Sequence, residues 1–295
     1  MKTMNMISRR SFLKAASAAA VFSALGLTGC GAASGSTASS AAASSTAAST
    51  KAASASAAGQ TFKVGIVNYV DHASLNQIVE SVESRLDELG KEKGVTFDYG
   101  DYYANAQADQ TNLNQIGADL VADGVDVIVA VATPTAATML AAVEDTEIPV
   151  VYSAVTDPAA AGFDTEPNIT GTSDALNTDA IMNLILAVNP DIDTIGLLYD
   201  LSQDSSTQAI ADAKAFCDAN GIQYIEKNGT TTAEVQMAAE ALVAAGVKAV
   251  FTPTDNTIMT AELSIYETFT EAGVQHYTGA DSFALNGAFV GYGVD

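Results

Sequence analysis

Two apolar runs in this chain stop on the same polar pair, Thr156-Asp157 in VVYSAVTDPAAAG and Thr254-Asp255 in AVFTPTDNTIMTA. A hydroxyl beside a carboxylate at a strand end can serve a small zwitterion. The carboxylate takes an ammonium, while hydroxyls and helix N-terminal N–H groups take a carboxylate. The same residues can equally do no more than cap the helix that follows. Other strand-end stretches add Tyr69 and His72, Asn105 and Gln107, Thr133, Ser153, Tyr199, Asn256 and Asp281. Thr133 precedes Pro134 and also reads as an N-cap with proline at the first helical position. Asp157 before Pro158 also reads as a turn former. His72 is either a solvated loop histidine or a contact, and Tyr69, Tyr102, Tyr103, Tyr152 and Tyr199 divide between packing and stacking on a flat ligand.

The charge pattern narrows the ligand. Lys63, Arg85, Lys91, Lys93, Lys214, Lys227 and Lys248 all fall at strand starts, on helices or in loops at the far end of the strands. A phosphate or dicarboxylate would meet acid and no bidentate cation, whereas an α-amino acid finds a partner for each of its charges. One of Asp157, Asp255 and Asp281 is expected to take the ammonium, with Thr133, Thr156 and Ser153 on the carboxylate side. Sugars and nucleosides remain compatible with the same loops. Catalysis has no support: there is no Gly-x-Ser-x-Gly, no GxxxxGK and no His-Glu-x-x-His, and the two histidines, His72 and His276, stand far apart. No metal site or cofactor is expected. With 35 acidic against 12 basic side chains, no basic patch exists for nucleic acid.

The elements that must position these residues alternate. Runs such as FKVGIVNYV, VDVIVAVA, IPVVYSAV, IDTIGLLYD and VKAVFTPT are Val- and Ile-rich without polar alternation, as strands buried on both faces are. Amphipathic helices separate them, which implies right-handed βαβ units and parallel sheets. VTFDYGDYY reads as one further strand, VQHYTGA and AFVGYGVD as the last ones. The series runs through once and then restarts, giving two doubly wound α/β lobes, 61–170 and 171–278, with 279–295 as a hinge return segment. The two Thr-Asp endings are expected to occupy the same position in the two lobes and to face one ligand.

Ahead of the lobes, residues 1–29 combine a basic start, an apolar run from Ala15 to Leu27 and small residues, as a signal peptide does. Ser8–Lys14 (SRRSFLK) is similar to the twin-arginine export motif, and Leu27–Cys30 (LTGC) to a lipobox, which makes Cys30 the expected lipidation site and membrane anchor. Residues 30–60 are almost only Ala, Ser, Gly and Thr and form a disordered tether. Loss of the signal leaves 8 basic against 35 acidic side chains, about −27. Cys217 then has no disulfide partner and reads as a buried small hydrophobe.

Six blocks in order carry a resemblance: YANAQADQTNL, ATPTAA, SAVTDPAAAG, ITGTSD, PTDNT and GADSFALNGA. From Lys63 to Asp295 the chain resembles substrate-binding lipoproteins of ABC importers, in the branch associated with tryptophan and tyrosine uptake. The resemblance implies a type I periplasmic-binding-protein fold with three hinge crossovers and a ligand in the interlobe cleft. It also implies delivery to a permease with a cytoplasmic ATPase, from the extracytoplasmic face of the membrane. Relatives run some tens of residues past this point, so the C-terminal part of that fold would be missing from a chain ending at Asp295. A sensing module that presents its ligand state to a membrane partner is the alternative.

Overall fold

The computed structural model describes residues 59–293; the expected signal peptide, Cys30 and tether lie outside the described residues. No helix of the described residues is long and apolar enough to cross a membrane. The chain alternates strand and helix twice over. The first series is β1 (Thr61–Asn68), α1 (Ala73–Lys93), β2 (Thr96–Asp98), β3 (Tyr103–Asn105), α2 (Gln110–Asp123), β4 (Val127–Val131), α3 (Thr133–Ala142), β5 (Val150–Val155) and β6 (Ile169–Ser173). The second is α4 (Thr178–Val188), β7 (Thr194–Tyr199), α5 (Asp204–Asn220), β8 (Gln223–Asn228), α6 (Thr232–Ala244), β9 (Ala249–Thr252), α7 (Asn256–Ala272), β10 (Gln275–Thr278), α8 (Asp281–Leu285) and β11 (Val290–Gly291).

Every strand pairing is parallel, and the two sheets have one topology. The first runs β2-β1-β4-β5-β6, with β3 also on β1, and the second runs β8-β7-β9-β10-β11. Residue alternation sends side chains to both faces of each sheet. In the first, Val67, Ile128 and Ala130 pack on α2 and α3 through Leu113, Leu120 and Met139. Val64, Ile66, Val129 and Val131 go the other way, onto Leu75 and Val79 of α1. In the second, Leu198 and Val250 meet α6 and α7, while Ile195, Leu197 and Phe251 meet α4 and α5. Burial on both faces explains why these strands read as unbroken apolar runs. Cys217 is fully buried in α5, where burial pushes its thiol up to about 11. Gly124 and Gly221 end α2 and α5 at φ +64° and +68°, a left-handed conformation that costs a residue with a Cβ.

Three boundaries differ from those read off the sequence. The strand expected at VTFDYGDYY is two short ones, because the chain turns at Tyr99–Tyr102, where the Tyr102 N–H bonds to the Tyr99 carbonyl at 3.0 Å. β2 and β3 therefore occupy the two ends of β1. The first lobe extends to Ser173 instead of residue 170, since β6 pairs with β5. Residues 279–293 are not a hinge return. They form α8 and β11, which lies parallel beside β10, and the Tyr292 N–H bonds to the Thr278 carbonyl at 2.9 Å.

Candidate functional site

In a sheet of this order the loops at the carboxyl ends of the first and third strands diverge, leaving a crevice at the switch point. In the first lobe that crevice lies between the loop after β1, carrying Tyr69 and His72, and the start of α3 at Thr133. In the second it lies between the loop after β7, from Asp200 to Gln203, and the loop after β9, carrying Thr254 and Asp255.

The two crevices meet. His72 Nδ1 accepts from the Leu75 N–H at 3.5 Å as the N-cap of α1, which leaves Nε2–H to donate to Asn256 Oδ1 at 3.1 Å. Burial lowers the His72 pKa, in keeping with this neutral tautomer, although the Asn256 bond works against it. Asn256 Nδ2 donates to Gln203 Oε1 at 3.0 Å. Gln203 also reaches the Tyr69 hydroxyl, whose pKa is raised by burial and by the nearby Asp200 and Asp255. Thr156 Oγ1 lies 3.4 Å from Thr254 Oγ1, and Ser74 Oγ donates to Ser282 Oγ at 2.5 Å. Tyr69, His72, Thr156, Thr254 and Asn256 are thus brought together as expected. Ser282, read from the sequence as a cleft candidate beside Asp281, joins them; Gln203 and Ser74 were missed, though each stands within a few residues of a residue that was named.

The aspartates behave differently. Asp255 is 1% exposed and all its acceptor directions are taken. Oδ1 accepts from the Thr257 and Ile258 N–H groups at 3.0 Å each, and Oδ2 accepts from the Asp200 N–H and the Ser206 hydroxyl at 2.7 Å each. Burial pushes this carboxyl up to about 6 against the pull of those donors, so it is ionised at neutral pH. It caps α7 and ties the two loops of the second crevice together, with no lone pair left for an ammonium. Asp157 Oδ1 accepts from the Ala160 N–H at 2.9 Å, which is the turn-forming role. Asp281 is exposed in the first turn of the five-residue α8. Nor do the Thr-Asp pairs occupy equivalent positions. Thr156-Asp157 follows the fourth strand of its sheet order and Thr254-Asp255 the third of its own. Their threonines meet across the seam, while their aspartates serve local caps.

Four other expected residues have local roles in the fold. Tyr199 is 5% exposed within the second lobe's core, and its hydroxyl donates to Glu226 at 2.7 Å. Burial and that carboxylate push it up to about 12. Asn105 Oδ1 is used by the Gln107 N–H at 2.9 Å as a turn, and Gln107 is exposed. Ser153 is half-buried on β5, and its carbonyl accepts from the Ala132 N–H at 2.9 Å.

Thr133 is the informative residue. It does not cap α3: Ala132 holds that position, and no side chain bonds the first turn. Thr133 is 4% exposed and Thr135 0%, yet neither Oγ1 has a partner, and Asn68 Oδ1 at the end of β1 is orphaned too. The backbone here is strained. Ala132 has φ +81° and ψ 152°, a region almost confined to glycine. Among the described residues, the non-glycine positive-φ positions are Gln107, Ala108, Ala132 and Ala154, all at the carboxyl ends of first-lobe strands. Ala154 sits in a bulge where the β5–β6 register shifts, just past Tyr152, whose partner on β6 is Gly171; a Cβ there would lie 2.1 Å from the Tyr152 carbonyl oxygen. Bulges and strain of this kind cluster at ligand sites. Among the described residues, no Lys or Arg stands on any loop that leads from the carboxyl end of a strand.

Known proteins are similar to this chain in sequence and fold. A tyrosine-binding protein from Clostridioides difficile is 28% identical over 237 residues, 79% of this chain and 67% of that one. An ABC domain from Streptococcus pneumonia, solved in complex with L-Trp, is 28% identical over 77% of each chain with a TM-score of 0.70. The ligand-free, open structure of a substrate binding protein with adhesive properties from Clostridium difficile is 26% identical over 77% of each chain, with a TM-score of 0.53. At nearly equal identity the fold overlays better on the ligand-bound relative than on the open one, as lobes in contact across their seam should. The model of the ABC transporter substrate binding protein family matches residues 63–295, and the chain belongs to that family, with its type I periplasmic-binding-protein fold.

Proposed function

We propose that this extracytoplasmic substrate-binding protein captures an α-amino acid, an aromatic one, between its lobes and delivers it to an ABC permease. The observation that supports this most is the unsatisfied first-lobe crevice. The Thr133 hydroxyl and the uncapped N-terminus of α3 offer donors to a carboxylate, and Asn68 Oδ1 is an acceptor without a donor. A buried polar group without a partner costs about 1–3 kcal/mol, a cost that a ligand making those bonds would remove. The absence of cations from the surrounding loops, among the described residues, disfavours phosphates and dicarboxylates. Tyr69 at the mouth supplies an aromatic surface, and the relatives bind tyrosine and tryptophan. Thr156 and Thr254 close over the ligand from the two sides. Anchoring through Cys30 accords with its lipobox-like context and places the lobes near the permease; detergent phase partition of the Cys30→Ala chain tests it.

The ligand class is tested by thermal shift against amino acids, nucleosides and sugars. A ligand at 100 times its Kd stabilises by about 2.7 kcal/mol, roughly 5–11 °C for a chain of this size. L-tryptophan or L-tyrosine should give that shift. A response confined to sugars or nucleosides would sink the amino-acid reading.

A further inference from the structure

Among the acids around the cleft, Asp174 is half-buried with one carboxylate oxygen left without a protein partner. Asp174 follows β6 on the segment that leads into the second lobe, and its backbone N–H bonds to the Val155 carbonyl at 3.2 Å. Its Oδ1 is buried and has no hydrogen-bond partner. The carboxylate's contact is the Thr156 hydroxyl, which partly offsets the rise in its pKa caused by burial. If Thr156 donates to Asp174, its oxygen must accept from Thr254, 3.4 Å away on the other lobe, so Asp174 stands at the seam itself. The ion pairs among the described residues use Arg85, Lys214 and His276, none of them near this carboxylate in the fold. A carboxylate oxygen buried without a donor or counter-charge is costly, and it is tolerated where a bound cation completes it.

We infer that Asp174 binds the ammonium group of the ligand and makes the site select α-amino acids over the same acids without the amine. The assignment rests on the amino-acid reading above and replaces Asp157, Asp255 and Asp281, whose oxygens are used or solvated. Spacing agrees with it. Thr133 follows β4 and Asp174 follows β6, two strands along the same sheet edge. At about 4.8 Å per strand that is roughly 10 Å. A zwitterion with one hydrogen bond of about 2.8 Å at each end covers nearly that span. The carboxylate would then lie at the N-terminus of α3, the ammonium at Asp174, and Thr156 on β5 between them.

The test is calorimetric titration of the processed chain with L-tryptophan, L-tyrosine and their des-amino analogues, 3-(indol-3-yl)propionate and 3-(4-hydroxyphenyl)propionate. Wild type, Asp174→Asn and Asp174→Ala are compared. Wild type is expected to prefer the amino acid by about 100-fold or more, the loss typical of one partner leaving a buried charge pair. Asp174→Asn should lose that preference while keeping its affinity for the analogue and its melting temperature, since no protein partner of Oδ1 is removed. In wild type the amino-acid affinity should also weaken as the pH falls and Asp174 takes up its proton, and in Asp174→Asn it should stay level. If wild type binds the amino acid and Asp174→Asn binds it within about threefold as well, or with the same preference, Asp174 is not the ammonium site. If wild type binds no amino acid, the amino-acid reading fails first and the assignment goes with it.

Discussion

Replacing Asp255 by alanine should damage the fold of the second lobe. The side chain is 1% exposed and serves four donors, so its removal strands the Thr257, Ile258 and Asp200 N–H groups and the Ser206 hydroxyl. Loss of the α7 cap costs about 1 kcal/mol. The Asp200 N–H and the Ser206 hydroxyl, both in buried residues, cost about 1–3 kcal/mol each when left without an acceptor. The total is about 5 kcal/mol, a fall in Tm of roughly 10–20 °C at this chain length. Asparagine separates the parts. Its oxygen keeps the cap, and the Ser206 hydroxyl can turn to accept from the new amide, so only the Asp200 N–H is stranded. Asp255→Asn should therefore cost less than half as much, about 2 kcal/mol. Urea unfolding at pH 7.5 followed by circular dichroism, where the wild-type carboxylate is ionised, measures both. A cost below about 1 kcal/mol for alanine, or an equal cost for the two variants, would refute the four-donor account.

Thr133→Val removes a hydroxyl with no protein partner; thermal melting should show the free protein unchanged or slightly more stable, while titration shows amino-acid affinity reduced about tenfold. Gly171→Ala drives a Cβ to 2.1 Å from the Tyr152 carbonyl oxygen, backbone that cannot step aside; it should cost about 3 kcal/mol or more, and a Tm within about 2 °C of wild type would contradict the close approach. His72→Ala removes the cap of α1 and the bond to Asn256, with an expected loss of about 1 kcal/mol in denaturant melts. Because burial lowers the His72 pKa below the ordinary histidine value of about 6.5, its contribution is complete above that value and is lost as the pH falls through the folded one. The difference between wild type and His72→Ala should therefore shrink as the pH falls below the ordinary histidine value, and a difference that grows on acidification would reverse the assignment of the neutral tautomer.

The fold was legible in the sequence because its strands are buried on both faces. VDVIVAVA carries no polar residue after Asp126, and its short, valine-rich run is what a strand buried on both faces writes. The edge was less legible: Gly100 and Asp101 break a run of β-formers, and only pairing with both ends of β1 shows that the halves belong to one edge. The strand-end rule likewise named Tyr69, His72, Thr156, Thr254 and Asn256, which the fold places on loops that meet across the seam. It could not rank the aspartates. Asp255 and Asp174 are the same residue type at similar loop positions, and what separates them is whether neighbouring N–H groups point at them, which is a property of the folded backbone. Strain at Ala132 and Ala154 was invisible for a related reason, because alanine gives no sign that it has been forced into a glycine conformation.

That strain is one-sided, and the imbalance has a kinetic meaning. The positive-φ residues and most of the orphaned acceptors around the crevice belong to the first lobe, while the second lobe's crevice is closed on itself through Asp255. On the proposed function, the first lobe serves as the berth and the second as the gate. A solute should therefore dock on the first lobe while the molecule is open, and the second should then latch over it through His72–Asn256 and Thr156–Thr254. Substitutions in the berth would alter the capture equilibrium, whereas substitutions in the latch would chiefly alter how long the solute stays aboard before hand-over.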